Sequence, residues 1–438
     1  MKKFALLLTV CMLTWGILAG CQSQQKPQPQ EPSGSEVSNS STAQEEDPVV
    51  ICIDETFERD FQELIRYLEA SKNETDYELL VLPSNTEDRE PELTRIRTEI
   101  MAGEGPDAFV LNGSHPRLFL DQQTMEPLEP LFPNVEKSMY SHLFLDLEEM
   151  VQQSEIVDLE SCNQTVMDVG VTEDGRFLLP IAYTFSTVMV DQSALEDPDY
   201  TFSTLDQLLQ SDQESLKGFF SYKTIVMFPD CMGTLADYKS QNLLVTTESL
   251  TKAIQQADAL IALQDERYSG SEAVRGETGG SRAWMDLRYD ELEYTVFPIP
   301  NQEGEITAGV TRYAAINRNT DHPQEAFAFI EQLFREELAT GGSLVVNNYN
   351  YYPLRFDHDL PVKEQVLLDY IEPNTQAGTM ESLRAAVNRI DSAKVYSDLD
   401  LDIYELYETW HFSYGQLDTP LEELVEQTIS SMEMTLAE

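Results

Sequence analysis

Residues 49–113 read VVICIDETFERDFQELIRYLEASKNETDYELLVLPSNTEDREPELTRIRTEIMAGEGPDAFVLNG, and two periodicities alternate along them. Val49 to Ile53 is a short continuous apolar run, the pattern of a buried strand. Phe57, Phe61, Leu64, Ile65 and Leu68 then recur at helical spacing, with Asp54 or Thr56 available as the N-cap. Tyr77 to Leu82 returns to strand. Leu93, Ile96, Ile100 and Met101 mark a second helix that stops at Gly103, and Ala108 to Leu111 is a third strand. Strand and helix alternating at this interval predict a parallel sheet with right-handed crossovers. In such open sheets ligands bind beyond the carboxyl ends of the strands. The positions this marks are Asp54 and Glu55 after the first strand, and Asn112, Gly113 and Ser114 after the third. For Asp54 and Glu55 two readings stay open: contact with a hydroxyl or cation, or capping of the helix by Asp54.

The same alternation continues downstream. Gly175 opens a strand segment through Ala182, and Ser186 to Val190 resumes it. Leu205 to Leu209 and Leu250 to Leu263 carry helical spacing. Tyr294 to Pro300 and Thr311 to Asn317 read as strands. Pro323 to Leu338 reads as one helix, with Pro at its start and Gly341-Gly342 beyond its end. A last helix near Pro420 to Leu436 presents Leu421, Leu424, Val425, Ile429 and Met432 on one face. The body from about Val49 onward is longer than one compact unit usually runs, so two lobes are expected.

The first residues bear on compartment. Met1-Lys2-Lys3 is positive, Phe4 to Ile17 is apolar, and Leu18-Ala19-Gly20-Cys21 follows. This is the order of a secretory signal, with an apolar core too short for a good membrane span. Leu-Ala-Gly-Cys resembles a bacterial lipobox, which implies cleavage after residue 20 and diacylglyceryl attachment at Cys21. Residues 21–48 are rich in Gln, Pro, Ser and Glu and cannot bury enough surface to offset their ordering entropy, so a flexible tether is expected. The formal charge of −50 argues against nucleic acid and anionic lipid headgroups, which require basic footprints, while leaving cationic ligands open. Cys52 reads as a small buried hydrophobe, and Cys162 and Cys231 could form a single bridge.

Four stretches together resemble the family of extracellular solute-binding proteins that includes the maltodextrin-binding proteins. They are Arg95 to Gly113, Asp174 to Leu195, Tyr294 to Phe334, and Asp418 to Leu424, and their order spans nearly the whole body. The resemblance fades between about Phe202 and Gly280. It implies a two-lobed, periplasmic-binding-protein-like (type II) α/β fold with hinge crossovers. One lobe would hold 49–180 with 311–370, and the other 181–310 with 371–438. It further implies a small solute, a sugar or oligosaccharide, held in the cleft and delivered by a monomeric, membrane-anchored lipoprotein to the permease subunits of an ABC importer. A ligand sensor for a membrane receptor and a surface glycan hydrolase are the alternatives.

Sugars are bound by aromatic faces together with charged and amide groups. Trp284, in the Gly-rich stretch GGSRAWMDL, is the aromatic candidate. Tyr183, Thr184 and Phe185 follow the first crossover, Arg312 and Tyr313 flank the second, and Tyr351 lies in the run Asn348 to Tyr352, read as a loop. Trp410 sits among Leu406, Tyr407 and Phe412 and reads as core. Asp398, Asp400 and Asp402 fail the calcium-loop pattern at Ile403 and Thr409, which leaves a solvated acidic helix start. No Gly-x-Ser-x-Gly elbow, His-Glu-x-x-His or Walker loop occurs, the five histidines show no metal spacing, and no cofactor is implied.

Overall fold

The computed structural model describes residues 47–227, 232–263, 274–275, 280–356, 358–412 and 419–437. The signal segment, the lipobox with Cys21, the tether to residue 46, and Cys231 lie outside the described residues.

The opening stretch folds as its periodicity dictates. Strands β1 (Val49–Asp54), β2 (Tyr77–Leu82) and β3 (Ala108–Asn112) alternate with helices α1 (Glu58–Ala70) and α2 (Thr86–Met101). β1 is the centre of this unit, parallel to both β2 and β3. Phe61, Leu64 and Leu68 of α1 and Leu93, Ile96 and Ile100 of α2 are the buried faces. Helix α2 is capped by Asn85, whose side chain accepts from the Asp88 amide.

Two of the stretches that carried the family resemblance meet at the amino ends of these strands. Gly103 and Gly105 adopt φ of +83° and +98°, a region side chains disfavour, and so turn the chain out of α2 into β3. Asp107 then accepts from the Val50 amide and the Thr320 hydroxyl, while Asn317 donates to the Glu104 and Pro106 carbonyls. The Gly-Glu-Gly-Pro-Asp turn and the segment after Ala-Ile-Asn therefore lock each other by hydrogen bonds, far from the carboxyl ends where a ligand would sit.

Four further strands complete a seven-stranded mixed sheet: β4 (Leu179–Thr184), β7 (Ile306–Ile316), β8 (Leu360–Pro361) and β9 (Ile390–Val395), in the order β8-β4-β7-β3-β1-β2 with β9 beside β7. A smaller antiparallel sheet contains β5 (Thr187–Asp191), β6 (Tyr294–Pro298) and the short segment Val274–Arg275. The chain passes between the two sheets at Phe185–Ser186, from β4 to β5, and again between Pro298 and Ile306, from β6 to β7. Strand β7 is long enough to pair with β9 through Ile306 to Val310 and with β3 through Arg312 to Ile316 along one edge. Its Gly309 is required by close approach, because a Cβ there would lie 2.1 Å from the Tyr396 hydroxyl.

The described hydrophobic residues form one large cluster and two smaller ones. The large cluster spans the main sheet and α1, α2, and also takes in Trp284, Tyr294 and Met380. One smaller cluster contains Val188, Phe202, Leu208, Phe220 and Phe297; the other contains Leu250, Ile254, Leu399, Tyr407 and Val425.

Local expectations fail where tertiary contacts intervene. The helix expected over Pro323 to Leu338 is two helices, Pro323–Glu331 and Glu336–Ala339, separated by a 3-10 turn and by Arg335 in an extended conformation. Leu333 and Phe334 are buried there, and the Arg335 side chain turns back to Gln332. The run Asn348 to Tyr352 is not a loop: Leu344–Val346 and Tyr349–Tyr351 pair as a hairpin, with Asn347 and Asn348 at positive φ in its turn. The acidic start at Asp398 is only partly solvated: Asp398 and Asp402 are half-buried. Asp400 is buried and ion-paired to the equally buried Lys394 at 2.5 Å. Cys52 is buried, and the Cys162 thiol donates to the Asp158 carbonyl. Trp410 is half-buried against the second small cluster, and its indole N–H donates to Asp258.

Candidate functional site

The carboxyl ends of β1 and β3 open onto a cavity of ≈ 410 Å³, within the range of small-molecule sites. Its wall is built from four separated parts of the chain. Thr56, Phe57, Arg59 and Asp60 come from the turn into α1. Asn112 ends β3, and Ser114, His115, Leu118 and Phe119 follow it. Thr311 and Arg312 in β7, with Arg355, His358 and Asp359 ahead of β8, close it.

Beneath the wall lies a rigid support. Asp54 is buried and paired with buried Arg89 at 2.7 Å, and its other oxygen accepts from the backbone and side-chain N–H groups of Asn112 at 2.8 and 3.0 Å. Arg89 also donates to the Pro83 and Glu129 carbonyls and lies 4.8 Å over the Phe119 ring. Each guanidinium nitrogen of Arg89 and both carboxylate oxygens of Asp54 are thus engaged, which offsets the cost of burying two charges. Asp54 positions Asn112 from below. It makes no side-chain cap and stands behind the wall, so neither expectation for it describes its contacts. Glu55 points away, accepting from the Ser84 amide at 2.7 Å.

A second ion pair forms the opposite side. Arg312 Nε lies 2.8 Å from Asp359, Thr311 donates its hydroxyl to the same carboxylate, and Arg312 Nη1 donates to the Arg355 carbonyl at 2.7 Å. The Arg312 guanidinium lies between the rings of Phe57 and Phe356, at 5.0 and 5.5 Å. Burial pushes the Asp359 carboxyl above its ordinary range, opposed by Arg312, Thr311 and His358. His115 packs edge-on against Tyr396, 4.6 Å between ring centres, and accepts from the Arg117 amide. Ser114 holds φ of +60°, and its hydroxyl oxygen is buried without a hydrogen-bond partner.

Of the residues expected at a site, the structure brings Asn112, Ser114 and Arg312 together at this cavity. Tyr183, Thr184, Phe185 and Trp284 are fully buried instead. Phe185 packs edge-on against Trp284 at 6.5 Å, because the crossover after β4 runs through the core rather than along the cleft wall. Tyr313 is likewise buried, and Tyr351 packs on Tyr67 of α1. Arg59, Asp60, His115, Arg355, His358 and Asp359 were not anticipated. The only local signal for Arg59 and Asp60 was their place just after β1; nothing in sequence joined Arg355 to Asp359 with that turn. Among the described residues no group of three or more His, Cys, Asp or Glu is placed to hold a metal ion, and no helix is long and apolar enough to cross a membrane.

No protein-family model matches the chain, and no curated protein matches it in sequence. Solved structures do match over nearly its full length. The sugar-binding protein MalE of Xanthomonas citri superposes with a TM-score of 0.54 at 12% identity, over 89% of this chain and 98% of that one. A periplasmic oligogalacturonide-binding protein of Yersinia enterocolitica gives 0.53 at 13% identity, over 89% and 99%. An extracellular solute-binding protein of family 1 from Alicyclobacillus acidocaldarius gives 0.51 at 12% identity, over 90% and 100%. At such identities the likeness shows the fold, and the fold is the two-lobed, type II periplasmic-binding-protein-like α/β architecture.

Proposed function

We propose that this chain is an extracytoplasmic solute-binding lipoprotein that captures a small solute, a sugar or oligosaccharide, and delivers it to the permease subunits of an ABC importer. The observation that carries the reading is a cavity lined mostly by polar and charged residues beyond the carboxyl ends of β1 and β3, in a fold whose solved representatives include sugar-binding proteins. Residues 49–180 with 311–370 form one lobe and 181–310 with 371–438 the other. The two smaller hydrophobic clusters draw only on residues of the second set, which supports that division. Closure of the lobes over a ligand would present both in docking register to a permease. The protein acts as a monomer, attached to the extracytoplasmic membrane face through acylated Cys21.

A thermal-shift screen over sugars, oligosaccharides, amines and peptides tests the reading. A ligand that binds only the folded state stabilises it by RT ln(1 + [L]/Kd), so the melting temperature of the full chain should climb with ligand concentration. Solution scattering should show the saturated protein to be more compact. Release of cleaved product from oligosaccharides would instead identify a hydrolase, and co-purification with a kinase rather than a permease would identify a sensor. Cys21→Ser should free the protein from membranes.

A further inference from the structure

Positive charge is scarce in this chain, with 28 Lys and Arg against 78 Asp and Glu, yet three arginines meet at the cavity wall. Arg312 is consumed by Asp359 and the Arg355 carbonyl. Arg355 and Arg59 are not. Arg355 is 45% exposed, and its ion pair with Asp60 is long, 3.4 Å, beyond the ~2.7–2.9 Å of a strong charge-assisted bond. Arg59 is exposed and makes no hydrogen bond or ion pair among the described residues. It stands in the first turn of α1, whose aligned peptide dipoles add to the positive potential.

The aromatic side of the wall is already spent. Phe57 and Phe119 are buried, and the guanidinium groups of Arg312 and Arg89 lie over their rings. Among the described lining residues no exposed Phe, Tyr or Trp face is left on which a neutral sugar ring could stack, and the exposed ring there is the polar imidazole of His358. Recognition there falls to charge and hydrogen bonds: Arg59 and Arg355 for an anionic group, and Thr56, Asn112 and Ser114 for hydroxyls. Resting on the solute-binding reading above, we infer that the cleft takes a carboxylate-bearing saccharide, with Arg59 and Arg355 as its carboxylate clamp.

The test uses the purified full chain and matched pairs: galacturonate against galactose, and digalacturonate against a neutral disaccharide, with sulfate and phosphate alone as further arms. The acid sugars should raise the melting temperature, their neutral counterparts and the free ions should not, and the shift should shrink as salt is added. In calorimetric titration the double variant Arg59→Gln/Arg355→Gln should lose at least about tenfold in digalacturonate affinity. Its unliganded melting should be unchanged, since both side chains are solvated. Neutral sugars binding as tightly as acids, or a double variant that keeps its affinity, would overturn the inference. Either result would leave the solute-binding reading standing. Free sulfate or phosphate binding as well as the acid sugars would reduce the site to a simple anion site and overturn the saccharide assignment. Failure of the underlying reading has its own signature, cleaved product or ligand binding without compaction.

Discussion

Trp284 separates two accounts of this cleft, and Trp284→Ala is the decisive perturbation. As a tryptophan after a Gly-rich turn it looks like a sugar-stacking residue, but the structure makes it the largest fully buried side chain described. It lies on the short helix Ser281–Met285, edge-on to Phe185 and inside the main hydrophobic cluster. Truncating such a residue removes its transfer free energy and leaves a cavity, costing about 3–5 kcal/mol. Unfolding entropy scales with length, and for the roughly 390 residues of Asp47–Glu438 it is about 0.8 kcal/mol/K near the midpoint, so melting should fall by about 4–6 °C. The assay is calorimetric melting of the unliganded variant beside titration with a ligand found in the thermal-shift screen. Affinity should change only a few-fold, through the bonds that Ser281 makes to the Asp359 carbonyl. Unchanged melting together with abolished binding would refute this account and put the indole in the cleft.

Two further outcomes follow from the buried charges. Arg89→Met strands Asp54 in the core and should cost about 3–5 kcal/mol in denaturant unfolding. Arg89→Lys should not rescue it, because an ammonium cannot span Asp54, Pro83 and Glu129 as the planar guanidinium does. Burial raises Glu364 from its ordinary 4.5 to about 7. The folded state therefore holds this proton more tightly than the unfolded one, so the contribution is full below about pH 4.5 and is lost as pH rises through about 7, with a slope of up to about 1.4 kcal/mol per pH unit. Glu364→Gln should flatten the decline of melting temperature between pH 5 and 7; an unaltered profile would remove Glu364 as its source.

Much of the fold was legible because it is encoded locally. The apolar run at Val49, the 3.6-residue spacing of Phe61, Leu64 and Leu68, and the glycines at 103 and 105 each specify their backbone from near neighbours. Together they determined a parallel strand-helix unit and the end of the sheet at which Asn112 and Ser114 sit. Tertiary structure alone decided which side chains face the cavity. Arg59 and Arg355 lie far apart in the sequence, and Asp359 reaches Arg312 only because β8 lies beside β4, which pairs with β7. The same holds for Trp284 and Phe185, whose apolar character is equally at home in a core or against a sugar. Burial depends on what the rest of the chain places opposite a residue, and no local pattern carries that information.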